Sequence, residues 1–468
     1  MKSIGDIILM KKDSMEPYEN KYVWFFLYLE NIYLSKSNWE NIIINMLSEY
    51  DDDAIMYILE KLTELNNHFS SDLRSLLKTK RHSLYSEGAL FKDLKIKNDL
   101  HPKFVMLKEN DEFIFHRKIL NTWFEGFEDR DGKIVKEFQT TFHSSFWEIF
   151  LYKIFKDLGY SIDFTKNRPD FILKNQEYEN REIYVEATIS NISINGRKED
   201  NRGLEDILGM MTPPHLNEEF DDEIEEAVVR YSSAIKTKLE KYKNDYTNLK
   251  WVKNENPYVI ALSSYSQVNY GREYIFGIIA LLYGLYYSKI QKKFIKRDYV
   301  EKKEGVKIPI GIFELEEYSD VSAIIFTSNL TIGKLTALIK SQVNYKSQEV
   351  FNLYQDFTDD DMTFKINMAS IDSAEVLTDG VWVLHNPLAK NKLNLKEFYE
   401  VGITNFFEKD KEYYVYGNLN PTISRLDIPN ILVPRYIKRI TSMTELYNSH
   451  ENLDFIDYYI LPDFNKIV

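Results

Sequence analysis

The sequence predicts an α/β fold, with a mixed sheet flanked by helices. Two observations carry this. Runs at 169–173, 182–189, 257–262, 321–326 and 381–384 are short, apolar and bounded by polar or turn residues, as buried strands are. Between the second and third runs, Ile224, Ala227, Val228, Tyr231, Ala234, Ile235, Leu239 and Tyr242 recur at the three-to-four spacing of a helix with one buried face.

Taken in order, residues 22–34 are dense in aromatic and aliphatic side chains and read as helical. Asp51, Asp52 and Asp53 offer capping carboxylates to a helix carrying Ile55, Ile58, Leu59 and Leu62. Residues 104–107 and 113–115 flank Asn110-Asp111 and predict a hairpin. The stretch 129–133, Asp-Arg-Asp-Gly-Lys, begins like a calcium loop but lacks the later ligands, so it reads as a turn before a helix. That helix is expected to run from about 135 to 158 and to stop at Gly159.

Strands 169–173 and 182–189 form a hairpin across a polar loop. Seven of the ten residues 217–226 are acidic. They open a helix that continues to about 246, where carboxylates suit the positive end of its dipole. Residues 274–288 carry no charge for 15 positions, short of the roughly 20 that a membrane span needs, and read as a buried helix. The expected organisation is a mainly helical region (1–125), an α/β domain with insertions (126–400) and a C-terminal extension (401–468).

Composition narrows the chemistry. The chain has 468 residues, enough for two or three domains, and no cysteine, which removes disulfides, zinc-thiolate sites and cysteine nucleophiles. That fits a cytoplasmic protein. The N-terminus lacks a signal-peptide pattern, and no membrane association is expected. Aromatic content of 15% implies large interlocking cores. A net charge of -14 means that any nucleic-acid contact must use a local basic patch. The densest basic run, Lys289, Lys292, Lys293, Lys296 and Arg297, could track a phosphate backbone or be a solvated helix end; Arg435, Lys438 and Arg439 share that ambiguity. His385 precedes Asn386-Pro387, a turn signal, and is a minor catalytic candidate.

Three carboxylates punctuate the middle of the chain. Glu148 lies in a helical pattern, while Asp170 and Glu186 lie in strand patterns. A divalent ion held by carboxylates neutralises developing charge and lowers the pKa of bound water, which phosphodiester hydrolysis requires. Magnesium prefers one or two protein carboxylates and keeps several waters. On a strand, Tyr184, Glu186 and Thr188 share a face, so a lysine at 188 would stand beside the metal and phosphate; this chain has Thr188 there. Lys238 falls on the apolar stripe of the next helix, four residues after Ala234 and four before Tyr242. It can supply the missing cation, or it can snorkel at the edge of the core. Lys236, Lys241 and Lys243 are placed nearer the edge or outside. Arg230 either approaches the site or pairs with the acidic insertion.

These residues resemble the PD-(D/E)XK nuclease superfamily over residues 138–262. Glu148 looks like the glutamate of the first core helix, Pro169 and Asp170 like the PD, and Glu186-Ala187-Thr188 stands at (D/E)XK with threonine for lysine. Lys238 and Tyr242 are similar to the Gln-x-x-x-Tyr element that some branches carry on the second core helix. The resemblance implies a restriction endonuclease-like core. It implies Mg²⁺ (or Mn²⁺) held by Asp170 and Glu186 with support from Glu148, water orientation by Lys238, and assistance from Thr188. The implied substrate is DNA, with RNA left open, in restriction or anti-phage defence, with a homodimer or a defence-system partner protein. The alternative is an inactive nuclease-fold module that binds nucleic acid or a protein partner.

Overall fold

A computed structural model describes residues 88–460 except 95, 97–99, 176–180, 191–200, 265–270, 292, 303–304, 344, 346, 359–362, 400 and 449–457. The expected helices around 22–34 and after Asp53, and Lys292 of the basic run, lie outside the described residues. The chain divides into two compact units, Met1–Lys92 with Leu107–Lys118, and Asp93–Met106 with Ile119–Val468. In the described part of the first, the buried Arg117 guanidinium donates to the carbonyls of Leu107 (2.5 Å) and Asn110 (3.1 Å).

The hairpin expected around Asn110 is instead two helices, α1 (Pro102–Glu109) and α2 (Ile114–Phe124). Asn110 is the reason. Its Oδ1 accepts the Glu112 N–H at 3.0 Å and its carbonyl accepts the Phe113 N–H at 3.1 Å, so it starts the next helical turn rather than a strand. Asp129 does begin a helix, accepting the N–H groups of Lys133 (2.9 Å) and Ile134 (3.1 Å).

The single helix expected at 135–158 is broken into α3 (Ile134–Thr140) and α4 (His143–Asp157). The hydroxyls of Thr140 and Thr141 bond back to the carbonyls of Lys136 and Glu137, and Phe142 turns to a φ of 31°. That turn lets the Phe142 ring pack on Phe138 and Phe146. Gly159, at φ +79°, ends α4.

Strands β1 (Ser161–Ile162), β2 (Phe171–Lys174), β3 (Glu182–Ser190) and β4 (Tyr258–Ser264) start the main sheet. Between β3 and β4 lie α5 (Leu204–Gly209) and α6 (Phe220–Asn244), and α7 (Phe276–Tyr283) follows β4. The uncharged run 274–288 is therefore only half helix. Gly284, at φ +68°, turns it into β5 (Leu285–Ser288), which pairs with β6 (Lys293–Lys296); β7 (Tyr299–Lys302) pairs with β8 (Val306–Pro309).

Further along are β9 (Ala323–Thr327), α8 (Ile332–Lys340), β10 (Gln348–Gln355), β11 (Phe364–Met368), β12 (Val381–His385), β13 (Ile403–Lys409), β14 (Glu412–Gly417), β15 (Thr422–Pro429), α9 (Val433–Asn448) and β16 (Tyr458–Ile460). Among the described residues the main sheet is mixed and nine-stranded, in the order β1-β2-β3-β4-β9-β12-β13-β14-β16. Its centre, β3-β4-β9, is parallel, as the connecting helices require.

The expected boundary at 400/401 does not set apart a separate extension. β13 hydrogen-bonds in parallel to β12, and β14 and β16 continue the same sheet. A second sheet, β11-β10-β15, packs with α9 around Phe351, Leu426, Ile440 and Tyr447.

α4 and α6 cover opposite faces of the sheet beside β3. Phe171 meets Phe155 of α4, whereas Ile172 and Tyr184 join the core formed with Tyr231 and Tyr242 of α6. The Trp147 indole N–H donates to the Ala261 carbonyl at 3.0 Å and fixes α4 against β4. No described helix is long and apolar enough to cross a membrane.

Candidate active site

β2 and β3 are antiparallel, with Phe171 opposite Val185. Continuing that register sets Asp170 level with Glu186. Asp170 Oδ2 accepts the Ala187 N–H at 2.8 Å, so the carboxylate is tied to the strand that carries its neighbour. The loop before it is held from two sides. Arg130 donates to the carbonyls of Lys166 and Asp170 (3.0 Å for the latter), and the Trp251 indole donates to the Arg168 carbonyl at 2.9 Å.

Glu186 projects toward α6, and its side chain is fully buried. Lys238 Nζ lies 2.9 Å from Oε1, joining residues 52 apart in sequence. Two further groups were not anticipated. Lys241 Nζ donates to the same oxygen at 2.8 Å, and Tyr246 Oη donates to Oε2 at 2.8 Å.

Lys241 does sit at the helix edge, 37% exposed, yet its ammonium reaches the buried carboxylate from there. Residues 238 and 241 are three apart, so they share one side of α6. Tyr242, singled out by likeness to a nuclease element, does not reach Glu186; its ring stacks on Tyr258 at 4.1 Å. Tyr246, one turn later, takes the contact instead. The signal was the spacing 238, 241, 246, which an apolar stripe centred on Tyr242 obscured.

The charges sort the carboxylates. Burial would raise the Glu186 pKa, but Lys238 and Lys241 overcome it and hold the group below its ordinary value. Asp170 is pushed up to about 6 by burial and then by the Glu186 charge. Glu148, on α4, is pushed up to about 8 by burial and by Asp170, Glu137 and Glu186, with Lys238 offsetting part of the rise. Burial would lower the Lys238 pKa, but Glu186 and Asp170 outweigh it and keep the ammonium charged. Glu148, Asp170, Glu186 and Lys238 therefore share one electrostatic neighbourhood. Thr188 sits two residues along the same strand face as Glu186, half-buried and opposite Leu262 of β4. It brings a hydroxyl and no charge.

In donor chemistry the three carboxylates fit a hard divalent ion such as Mg²⁺ or Mn²⁺. Among the described residues, however, no group of three or more His, Asp or Glu side chains is placed so that it could hold a metal ion. The hydrogen bonds give a reason: both Glu186 oxygens already accept from Lys238, Lys241 and Tyr246.

Other sequence candidates are engaged elsewhere. Lys236 is exposed and lies 4.0 Å from Glu240, and Lys243 lies 3.6 Å from Asp320. Arg230 pairs with Glu226 (3.3 Å) and Glu273 (3.7 Å) and bonds Ser190 Oγ (2.8 Å). In the basic run, Lys289 donates to the Asn217 carbonyl ahead of α6, Lys296 pairs with Glu314, and Arg297 lies 3.8 Å from both Glu225 of α6 and the Tyr286 ring centre. In α9, Arg439 lies 3.5 Å from Glu205. His385 is buried, and its Nε2 lies 2.9 Å from Asn405 Oδ1. Burial lowers its pKa to about 4, so the ring is neutral near pH 7. It lines a cavity of about 260 Å³ with Phe407, Leu393 and Lys392.

Compared with known proteins, the chain matches no family model, no curated protein and no solved structure.

Proposed function

We propose that the chain is a metal-dependent phosphodiesterase of PD-(D/E)XK type that hydrolyses DNA. The observation that carries this reading is the 2.9 Å contact between Lys238 and Glu186, beside Asp170. It brings a cation from α6 to the carboxylate of a strand motif that has Thr188 where a lysine would stand.

Each residue has a role in this proposal. Asp170 and Glu186 would hold Mg²⁺ or Mn²⁺, with Glu148 in support, and the ion would supply Lewis acidity and an acidified water. Lys238, charged and half-buried, orients the attacking water and offsets the negative charge that builds on the phosphoryl oxygens. The Thr188 hydroxyl can hydrogen-bond the same water or phosphate. Arg130 and Trp251 hold the loop that presents Asp170, which fixes the carboxylate against Ala187.

A role in restriction or anti-phage defence, and assembly with a second copy or a partner protein, rest on likeness of fold alone. A second reading, a non-catalytic module that binds nucleic acid or protein, is favoured by Thr188 and by the full engagement of Glu186. Purified protein incubated with supercoiled plasmid distinguishes them. Nicking with Mg²⁺ or Mn²⁺, silenced by EDTA, supports the nuclease. No cleavage across a panel of DNA and RNA supports the binding module.

A further inference from the structure

Two lysines converge on one oxygen. Lys238 and Lys241 donate to Glu186 Oε1 at 2.9 and 2.8 Å, and Tyr246 occupies Oε2. The two ammoniums repel each other at that oxygen, and Asp170 is the next carboxylate that feels both.

The two are not equivalent. The Lys238 side chain is 21% exposed, and its backbone carbonyl accepts the Tyr258 hydroxyl at 3.1 Å. Lys241 lies farther along α6, is 37% exposed, and stands 5.1 Å from the centre of the Tyr246 ring. It has solvent on one side and four rotatable bonds with which to leave.

We propose that Lys241 is an exchangeable cation, which keeps Glu186 Oε1 neutralised until a divalent ion takes that oxygen and then swings outward to bind a substrate phosphate. Lys238 stays on the carboxylate side and works on the water. This inference rests on the nuclease reading and assigns Lys241 to substrate binding. The ammonium that occupies the coordinating oxygen is the same group that the phosphate later needs, so metal entry and substrate capture are coupled through one side chain.

The test measures Mn²⁺ binding without nucleic acid, by calorimetry, in the full-length wild type, Lys241→Met, Lys241→Gln and Lys236→Met. Removing the competitor should tighten Mn²⁺ binding about thirtyfold in both Lys241 variants, the size expected for a unit charge about 4 Å from a divalent ion in water. Lys236→Met, which alters an exposed lysine on another side of α6, should match the wild type. In plasmid cleavage the Lys241 variants should show a raised KM with kcat nearly unchanged. Unchanged or weaker Mn²⁺ affinity in both Lys241 variants overturns the exchange. So does a loss confined to kcat. Wild type that binds no Mn²⁺ at all would overturn the nuclease reading itself, a result distinct from either.

Discussion

Asp170 and Glu186 are neighbouring carboxylates on paired strands, yet their neutralisation should move stability in opposite directions. Asp170 carries a pKa raised from 3.8 to about 6, with burial the largest cause and Glu186 the next. The unfolded chain gives up this proton near pH 3.8, and the folded chain keeps it to about pH 6. The contribution to stability is therefore full at low pH, falls as pH rises from about 4 to 6, and stays lost above. That rise corresponds to about 3 kcal/mol, of which about half survives solvent screening of a half-buried group.

Asp170→Asn removes that charge and keeps an acceptor for the Ala187 N–H. At pH 7.5 with EDTA it should stabilise the sheet-bearing unit by about 1–2 kcal/mol, a Tm rise on the order of 2 °C. Glu186→Gln removes the shared counter-charge of Lys238 and Lys241 and should destabilise it, by about 2–3 kcal/mol, since losing one partner of a buried pair is costly while Lys241 is partly solvated. Thermal and urea unfolding of both variants at pH 7.5 and pH 4.5 reads this out. The Asp170→Asn gain should shrink at pH 4.5, where the wild-type group is protonated. If Asp170→Asn lowers Tm at pH 7.5 as much as Glu186→Gln does, burial and the Glu186 charge do not hold the Asp170 pKa up in the fold.

Two further outcomes are expected. Lys238→Ala should reduce plasmid cleavage by at least about a hundredfold, the range for removing one preorganised charge-stabilising group, while Lys236→Ala leaves it near wild type; equal, mild effects would remove Lys238 from the chemistry. His385, neutral in the fold with its pKa lowered to about 4 by burial, should make the chain less stable as pH falls from about 6.5 to 4, by up to about 3 kcal/mol. Urea midpoints of wild type and His385→Gln should converge as pH is lowered, and a constant difference would show that this histidine titrates normally.

What could be read from the sequence was what is set locally. The β2–β3 hairpin, α6 and the strands β4, β9 and β12 each carry their own periodicity, and helical spacing alone placed Lys238 on the inward side of α6. The break at Phe142 escaped because the apolar pattern runs through it, while the cause is a pair of threonine hydroxyls bonding back to the helix. Strands β13 and β14 escaped as parts of the main sheet because their partners are set by long-range register.

Buried charge was the least legible. Lys334, Glu375 and Arg425 form a network in the core, with Lys334 Nζ 2.5 Å from Glu375 Oε1 and Arg425 Nε 3.0 Å from Asn352 Oδ1. Nothing in the spacing of such residues distinguishes them from surface charges, since each is tolerated only through partners distant in sequence. Lys241 escaped for a related reason. Its wheel position is marginal for a buried residue and well suited to a cation reaching a buried carboxylate from the rim.

The most direct measurement is cleavage of supercoiled plasmid by the purified full-length chain with Mn²⁺, with EDTA, and in the Glu186→Ala and Asp170→Ala variants. The carboxylate–lysine site predicts nicking or linearisation by the wild type with Mn²⁺, and none with EDTA or in either variant. A wild type inert toward DNA and RNA under every divalent ion tried, or full activity retained in either variant, would contradict it.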